Sequence, residues 1–128
     1  SFAKVALATE LSKLVPPFHL GLFTAVLGDV LWENRAIFDE RAGKLNSQRR
    51  RMQEEVAKIA GVKVFPSEAN FFLFEVADAG KVHEELKKRG ILIRRQGGSE
   101  RLENCLRVNA GTDEENDSFL DALREIQG

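Results

Sequence analysis

The chain has 128 residues, 19 basic and 20 acidic, with a formal net charge of −1 and 43% hydrophobic residues. That length and apolar fraction suit a single domain with a buried core, and the charge balance argues against a nucleic-acid or acidic-membrane partner, both of which need a basic excess. The single cysteine, Cys105, excludes an intrachain disulfide and fits a reducing, cytoplasmic compartment; no run of ~18 apolar residues marks a membrane-spanning helix, and no signal-peptide layout opens the chain.

The start at Ser1-Phe2-Ala3-Lys4, without a methionine, reads as a cut chain. Residues 3–14 read as a helix with Val5, Leu7, Ala8, Leu11 and Leu14 on an approximate stripe. Val15-Pro16-Pro17 ends it, because proline lacks the donor and pushes the preceding residue out of the α region. A long helix follows over about 20–34, with Leu20, Phe23, Leu27, Val30 and Leu31 on one face. From Arg35 to Ala60 the charge density rises. The apolar residues Ile37, Phe38, Leu45, Met52, Val56 and Ile59 predict a second long helix with one wet face. Arg49-Arg50-Arg51 is expected on that wet face, with Glu54 and Glu55 four residues on as local partners of Arg50 and Arg51.

Gly61 suits a helix C′ position. Val62–Phe65 predicts a short strand stopped by Pro66. Asn70–Val76 predicts a strand whose near-continuous apolar run suggests burial on both faces. A helix is expected over about 80–89, capped by Gly90, then a strand at Ile91–Arg94 and a flexible loop at Gln96–Arg101. Cys105–Asn109 alternates as a strand does, with Leu106, Val108 and Ala110 on one face and Cys105, Arg107 and Asn109 on the other. Thr112-x-x-Glu115 is a capping box that opens a final helix over 113–126. The order of two or three helices and then β-β-α-β-β-α predicts an α+β architecture of a sheet layered with helices.

Arg107 is the residue that does not fit a plain strand. A guanidinium among apolar neighbours needs an anion. Its planar fork suits a carboxylate or phosphate; an internal salt bridge to Glu75 or Glu115 is the equal alternative. Arg94, where a strand meets a glycine-rich loop, is the second candidate, against a plain solvent-facing strand end. Asn70 is expected to satisfy backbone at a turn rather than to bind. His19, His83 and Cys105 are too few and too scattered for a metal site. Ser1-x-x-Lys4 lacks the companion motifs of Ser-Lys enzymes, and Gln96-Gly97-Gly98 lacks the spacing of a phosphate-binding loop.

Four segments occur in order: Pro16-Pro17-Phe18-His19-Leu20, Val64-Phe65-Pro66-Ser67-Glu68-Ala69-Asn70-Phe71, Arg89-Gly90-Ile91-Leu92-Ile93-Arg94, and Asn104 through Asp117 with its Cys-Leu-Arg strand and Gly-Thr-x-Glu-Glu-Asn helix start. Together they resemble the C-terminal part of the histidinol-phosphate aminotransferases, class-II pyridoxal-phosphate enzymes, over nearly the whole chain. The resemblance implies a two-domain, homodimeric transaminase of fold type I. Residues 1–60 would be helices linking to a large cofactor-binding domain, and 61–128 the small α+β domain. It implies that Arg107 grips the anionic end of a small-molecule substrate, the phosphate of histidinol phosphate or the carboxylate of glutamate, and that Arg94 lies near the substrate tail.

The family's Schiff-base lysine, the aspartate and tyrosine that hold the cofactor, and its phosphate cup have no counterparts here; Lys4 has the wrong flanks. The chain alone is therefore expected neither to bind pyridoxal 5′-phosphate productively nor to be active. His19, and Asn109-Ala110 in place of a Ser/Thr-Val pair, depart from the family pattern and leave the exact substrate open. A threonine-phosphate decarboxylase, another class I/II aminotransferase, or a non-catalytic module that binds a partner through the apolar faces of residues 3–34 are the alternatives.

Overall fold

The computed structural model describes residues 4–14 and 21–128. Ser1, the expected helix end at Val15-Pro16-Pro17, and His19 lie outside the described residues. The chain divides into two compact units, residues 1–38 and 39–128. The first unit holds α1 (Val5–Ser12) and α2 (Leu22–Glu33), and neither helix has a buried residue. Asn34 closes α2: its backbone N–H and its side-chain amide both donate to the Val30 carbonyl, at 3.1 and 2.8 Å. Helix α3 (Arg35–Ala57) begins at the next residue.

In the second unit the order is β1 (Lys63–Val64), β2 (Phe71–Glu75), α4 (Ala79–Lys88), β3 (Arg94–Arg95), β4 (Cys105–Asn109) and α5 (Asp113–Gln127), with a 3₁₀ turn at Glu100–Leu102. The strands form one antiparallel sheet in the order β1-β2-β4-β3. This is the expected β-β-α-β-β-α order. One sheet face carries Phe72, Phe74, Leu106 and Val108. Met52 and Val56 of α3, Val82 and Leu86 of α4, and Phe119, Leu120 and Leu123 of α5 bury it in a single core. Phe72 and Phe74 are fully buried, each contributing roughly 2–3 kcal/mol of apolar burial.

Two strand expectations are corrected. β2 is not buried on both faces. Phe72, Phe74 and Val76 are buried, while Phe71, Leu73 and Glu75 are half-buried, because within residues 39–128 the helices pack on one face of the antiparallel sheet. Ile91–Ile93 is not strand, and β3 begins at Arg94. The segment leaves α4 through a left-handed turn. Gly90, at φ +78°, takes the left-handed conformation. Its N–H donates to Lys87, and the Ile91 N–H donates to Leu86. This is a full Schellman motif. At the end of α3, Gly61 likewise has φ +77°, but the helix stops at Ala57 and turns, three residues short of the expected end.

Helix α5 starts as its motif predicts. The Thr112 hydroxyl accepts from the Glu115 N–H at 3.3 Å, and the Glu115 carboxylate accepts from the Thr112 N–H at 2.9 Å.

Candidate functional site: an arginine pair on the open sheet face

The register decides where the candidate arginines stand. Leu73 lies opposite Arg107, Phe71 opposite Asn109, and Arg94 opposite Arg107 on the other side. Directly opposed residues share a face. Phe71, Leu73, Arg107, Asn109 and Arg94 therefore occupy the sheet face away from the helices. Arg107 is half-buried there; Arg94 and Asn109 are exposed.

The two acids weighed as internal partners of Arg107 are engaged elsewhere. Glu75 faces Lys63 at 3.5 Å, and Glu115 belongs to the capping box. Among the described residues neither Arg94 nor Arg107 has an ion pair, and the buried Nε of Arg107 has no hydrogen-bond partner. What Arg107 does touch is aromatic: its Cζ lies 4.8 Å from the centroid of the Phe71 ring. Two guanidiniums opposed across a ladder repel each other. With no acid paired to either, the two form a cationic pair suited to an anion.

A groove of about 880 Å³ opens where Ile91–Ile93 diverges from the end of β4. Arg94, Arg107 and Asn109 line it, together with Glu114, Asn116 and Ser118 of α5 and the apolar Met52 and Phe119. Arg89 also lines it and is paired with Glu125.

Asn116, 1% exposed, braces the site. Its amide donates to the Gly111 carbonyl at 3.2 Å and to Gln48 of α3 at 3.2 Å, and its oxygen accepts from the Gly111 N–H at 2.9 Å. Both polar groups of Gly111 are thereby fixed at the end of the Arg107 strand. At Asn70 it is the main-chain carbonyl that bonds, accepting from Ala110 at 3.0 Å as the β2–β4 pairing continues. Among the described residues no cluster of three His, Cys, Asp or Glu could hold a metal. Cys105 is buried, and burial pushes its thiol pKa up, with Glu75 adding to the effect. It is a packing residue, not a nucleophile.

The arginine run on α3 is corrected in part. Arg49 is not on a solvated face; it is 2% exposed, with Glu68 at 3.7 Å and its Nε unpartnered. The signal was present in the spacing. Positions 45, 49, 52, 56 and 59 form one apolar stripe, and Arg49 sits in the middle of it. Arg51 pairs with Asp117 at 2.6 Å on α5 rather than with Glu55. Glu55 in turn meets Arg124 of α5 at 2.7 Å. Phe71 and Asn116 drew no separate attention in the sequence, since their contacts depend on register and on a turn.

The profile of "Aminotransferase class I and II" matches residues 17–123. The histidinol-phosphate aminotransferase of Aquifex aeolicus is 41% identical over 95% of this chain and 35% of that protein. The chain thus spans about a third of the length of the curated relatives it matches. A solved structure of histidinol-phosphate aminotransferase from Sinorhizobium meliloti, in complex with pyridoxal-5′-phosphate, superposes with a TM-score of 0.72. It shares 23% identity and covers 94% of this chain and 34% of that one. L-threonine-O-3-phosphate decarboxylase from Porphyromonas gingivalis superposes with a TM-score of 0.59 at 24% identity, over 64% of this chain and 26% of that one. These two likenesses bear on fold alone. The profile match covers most of the chain and carries the assignment: this chain belongs to the class I and II aminotransferase family.

Proposed function

We propose that this chain is the C-terminal small domain of a pyridoxal-phosphate-dependent histidinol-phosphate aminotransferase, and that it supplies the arginines that bind the substrate's anionic end. The observation that carries the reading is the Arg94–Arg107 pair, cross-strand neighbours on an open sheet face with no internal acid between them. The identity to the Aquifex aeolicus enzyme supports the substrate: histidinol phosphate as amino donor and 2-oxoglutarate as acceptor, in histidine biosynthesis. Arg107 binds the phosphate or the co-substrate carboxylate bidentately, and Arg94 adds a second positive charge beside the substrate tail. Fixing the anion fixes the reacting amine, which is catalysis by positioning. Closing the domain over the substrate expels water and strengthens that hold.

The chain's own residues do not fit the cofactor. The groove lining contains neither lysine nor aspartate, and the chain has no tyrosine. Pyridoxal phosphate, which supplies the electron sink when bound, belongs to the remainder of the enzyme. The remainder also accounts for α1 and α2. Phe23, Leu27 and Trp32 are 86%, 59% and 70% exposed, an apolar surface of the kind that marks an interaction site. The whole enzyme is proposed to be a cytoplasmic homodimer.

A threonine-phosphate decarboxylase would use the same two arginines on another phosphate-bearing amine. Assaying the intact protein with histidinol phosphate and with threonine phosphate separates the two: transamination of the first supports the proposal, and decarboxylation of the second alone replaces it.

A further inference from the structure

We propose that Phe71 is a positioning residue for Arg107, holding the guanidinium against its ring so that the terminal amine donors stay free for the substrate's anion. The inference rests on the reading of Arg107 as the anion-binding residue. It begins with the register. Phe71 lies opposite Asn109, two residues along from the Leu73–Arg107 pair. Such diagonal neighbours on one face come within reach of an aromatic ring and a long side chain. The Arg107 carbon does lie over the ring, at 4.8 Å from its centroid.

A guanidinium offers two kinds of surface. Its edge carries five N–H donors, which bind carboxylate and phosphate in the plane of the group. Its face carries none and is attracted to an aromatic ring. An internal acid would hold Arg107 by its edge and consume the donors that the substrate needs. Phe71 meets it with an aromatic ring, which takes up no N–H donor; the unpartnered Nε is buried, which leaves the two terminal amines for an anion. The ring also opposes a specific disturbance. Arg94 stands directly across the ladder from Arg107, and repulsion between the two would otherwise swing Arg107 outward. Among the described residues no hydrogen bond or ion pair restrains it, so the ring is the restraint the structure offers.

The position is not accounted for by packing. Phe72 and Phe74 are fully buried in the core, whereas Phe71 is only half-buried, on the face without helices. An aliphatic residue would satisfy such a strand position equally well.

The test is a double-mutant cycle in the intact transaminase carrying these residues, with Phe71→Leu, Phe71→Tyr, Arg107→Gln and the combination of Leu and Gln. Phe71→Leu is expected to raise the KM for the anionic substrate about 3- to 30-fold, the range of a cation–π contact, with little change in kcat. Phe71→Tyr is expected to stay within about 2-fold of the parent, since the ring face is kept. In the Arg107→Gln background, Phe71→Leu is expected to add nothing, because the cycle isolates the pairwise effect. An unchanged KM in Phe71→Leu, or the same rise with and without Arg107, overturns the proposal while leaving Arg107 in its role. An unchanged KM in Arg107→Gln overturns instead the reading on which it rests. Should Phe71→Leu not fold, Phe71→Ile and Phe71→Met carry the same comparison against Phe71→Tyr.

Discussion

At the scale of single residues, the site sets stability against function. Arg107 and Arg94 face each other across a ladder with no acid between them. Removing one charge should relieve repulsion of roughly 0.2–1 kcal/mol. Arg94→Gln is therefore expected to leave the thermal midpoint unchanged or slightly raised while weakening binding of the phosphate substrate; thermal melts of the chain and KM in the intact enzyme check the two halves. Cys105 makes a contrasting prediction. Its thiol is buried and its pKa raised by that burial, so a thiol-alkylating reagent should label it slowly in the folded chain and rapidly in denaturant. Fast labelling without denaturant would show that β4 is open to solvent. Arg107 was legible as an anomaly because a charge in an alternating strand has few explanations. Arg49 was not recognised, although its place in the 45-49-52-56-59 stripe marked it as inward, because three successive arginines suggest a solvated surface. Phe71 could not be assigned its role before the β2–β4 register was known.

At the scale of elements, the joint between β4 and α5 holds the site together. Gly111 packs so closely on the Glu115 carboxylate that an added Cβ would collide with it. Gly111→Ala must therefore displace the capping box, and it is expected to cost about 1 kcal/mol or more, the usual worth of an N-cap. Thr112→Ala should cost a similar amount by deleting the cap itself. Asn116→Ala strips the side-chain partner from both polar groups of Gly111 and one of the two donors on Gln48, at about 1–3 kcal/mol. Chemical denaturation of the three variants checks the order, with Asn116→Ala lowest. Most elements were legible from periodicity and caps: the helix order, the capping box, and the β-β-α-β-β-α sequence. What composition does not carry is the path of a turn. Ile91-Leu92-Ile93 has strand composition, but the segment leaves α4 through the left-handed Gly90 and joins no ladder before Arg94. The exposure of one face of β2 was hidden for a related reason: Phe71 and Leu73 look like core, and only the sheet's one-sided cover reveals otherwise.

At the scale of the whole molecule, two behaviours follow. Glu55 joins α3 to α5 through Arg124. Its carboxyl is held below the ordinary 4.5, first by the Lys58 hydrogen bond, with burial opposing and the charges of Lys58 and Arg124 adding. A depressed folded-state pKa stabilises fully above the ordinary value and is lost as pH falls through the lowered one. Glu55→Gln should thus narrow the stability difference between neutral pH and pH below about 4.5, as read from melts across that range. The apolar side chains of α1 and α2 predict that the chain by itself associates with itself, and sedimentation at rising concentration should show this; a monomer throughout would mean that these faces need no cover. The most direct test of the account is the intact transaminase with Arg107 replaced, assayed for transfer of the amino group from histidinol phosphate. Arg107→Ala should raise KM strongly and lower kcat/KM by the equivalent of about 2–5 kcal/mol, and Arg107→Lys should recover little of it, since a point charge lacks the bidentate fork. A KM in the alanine variant equal to that of the parent would contradict the account.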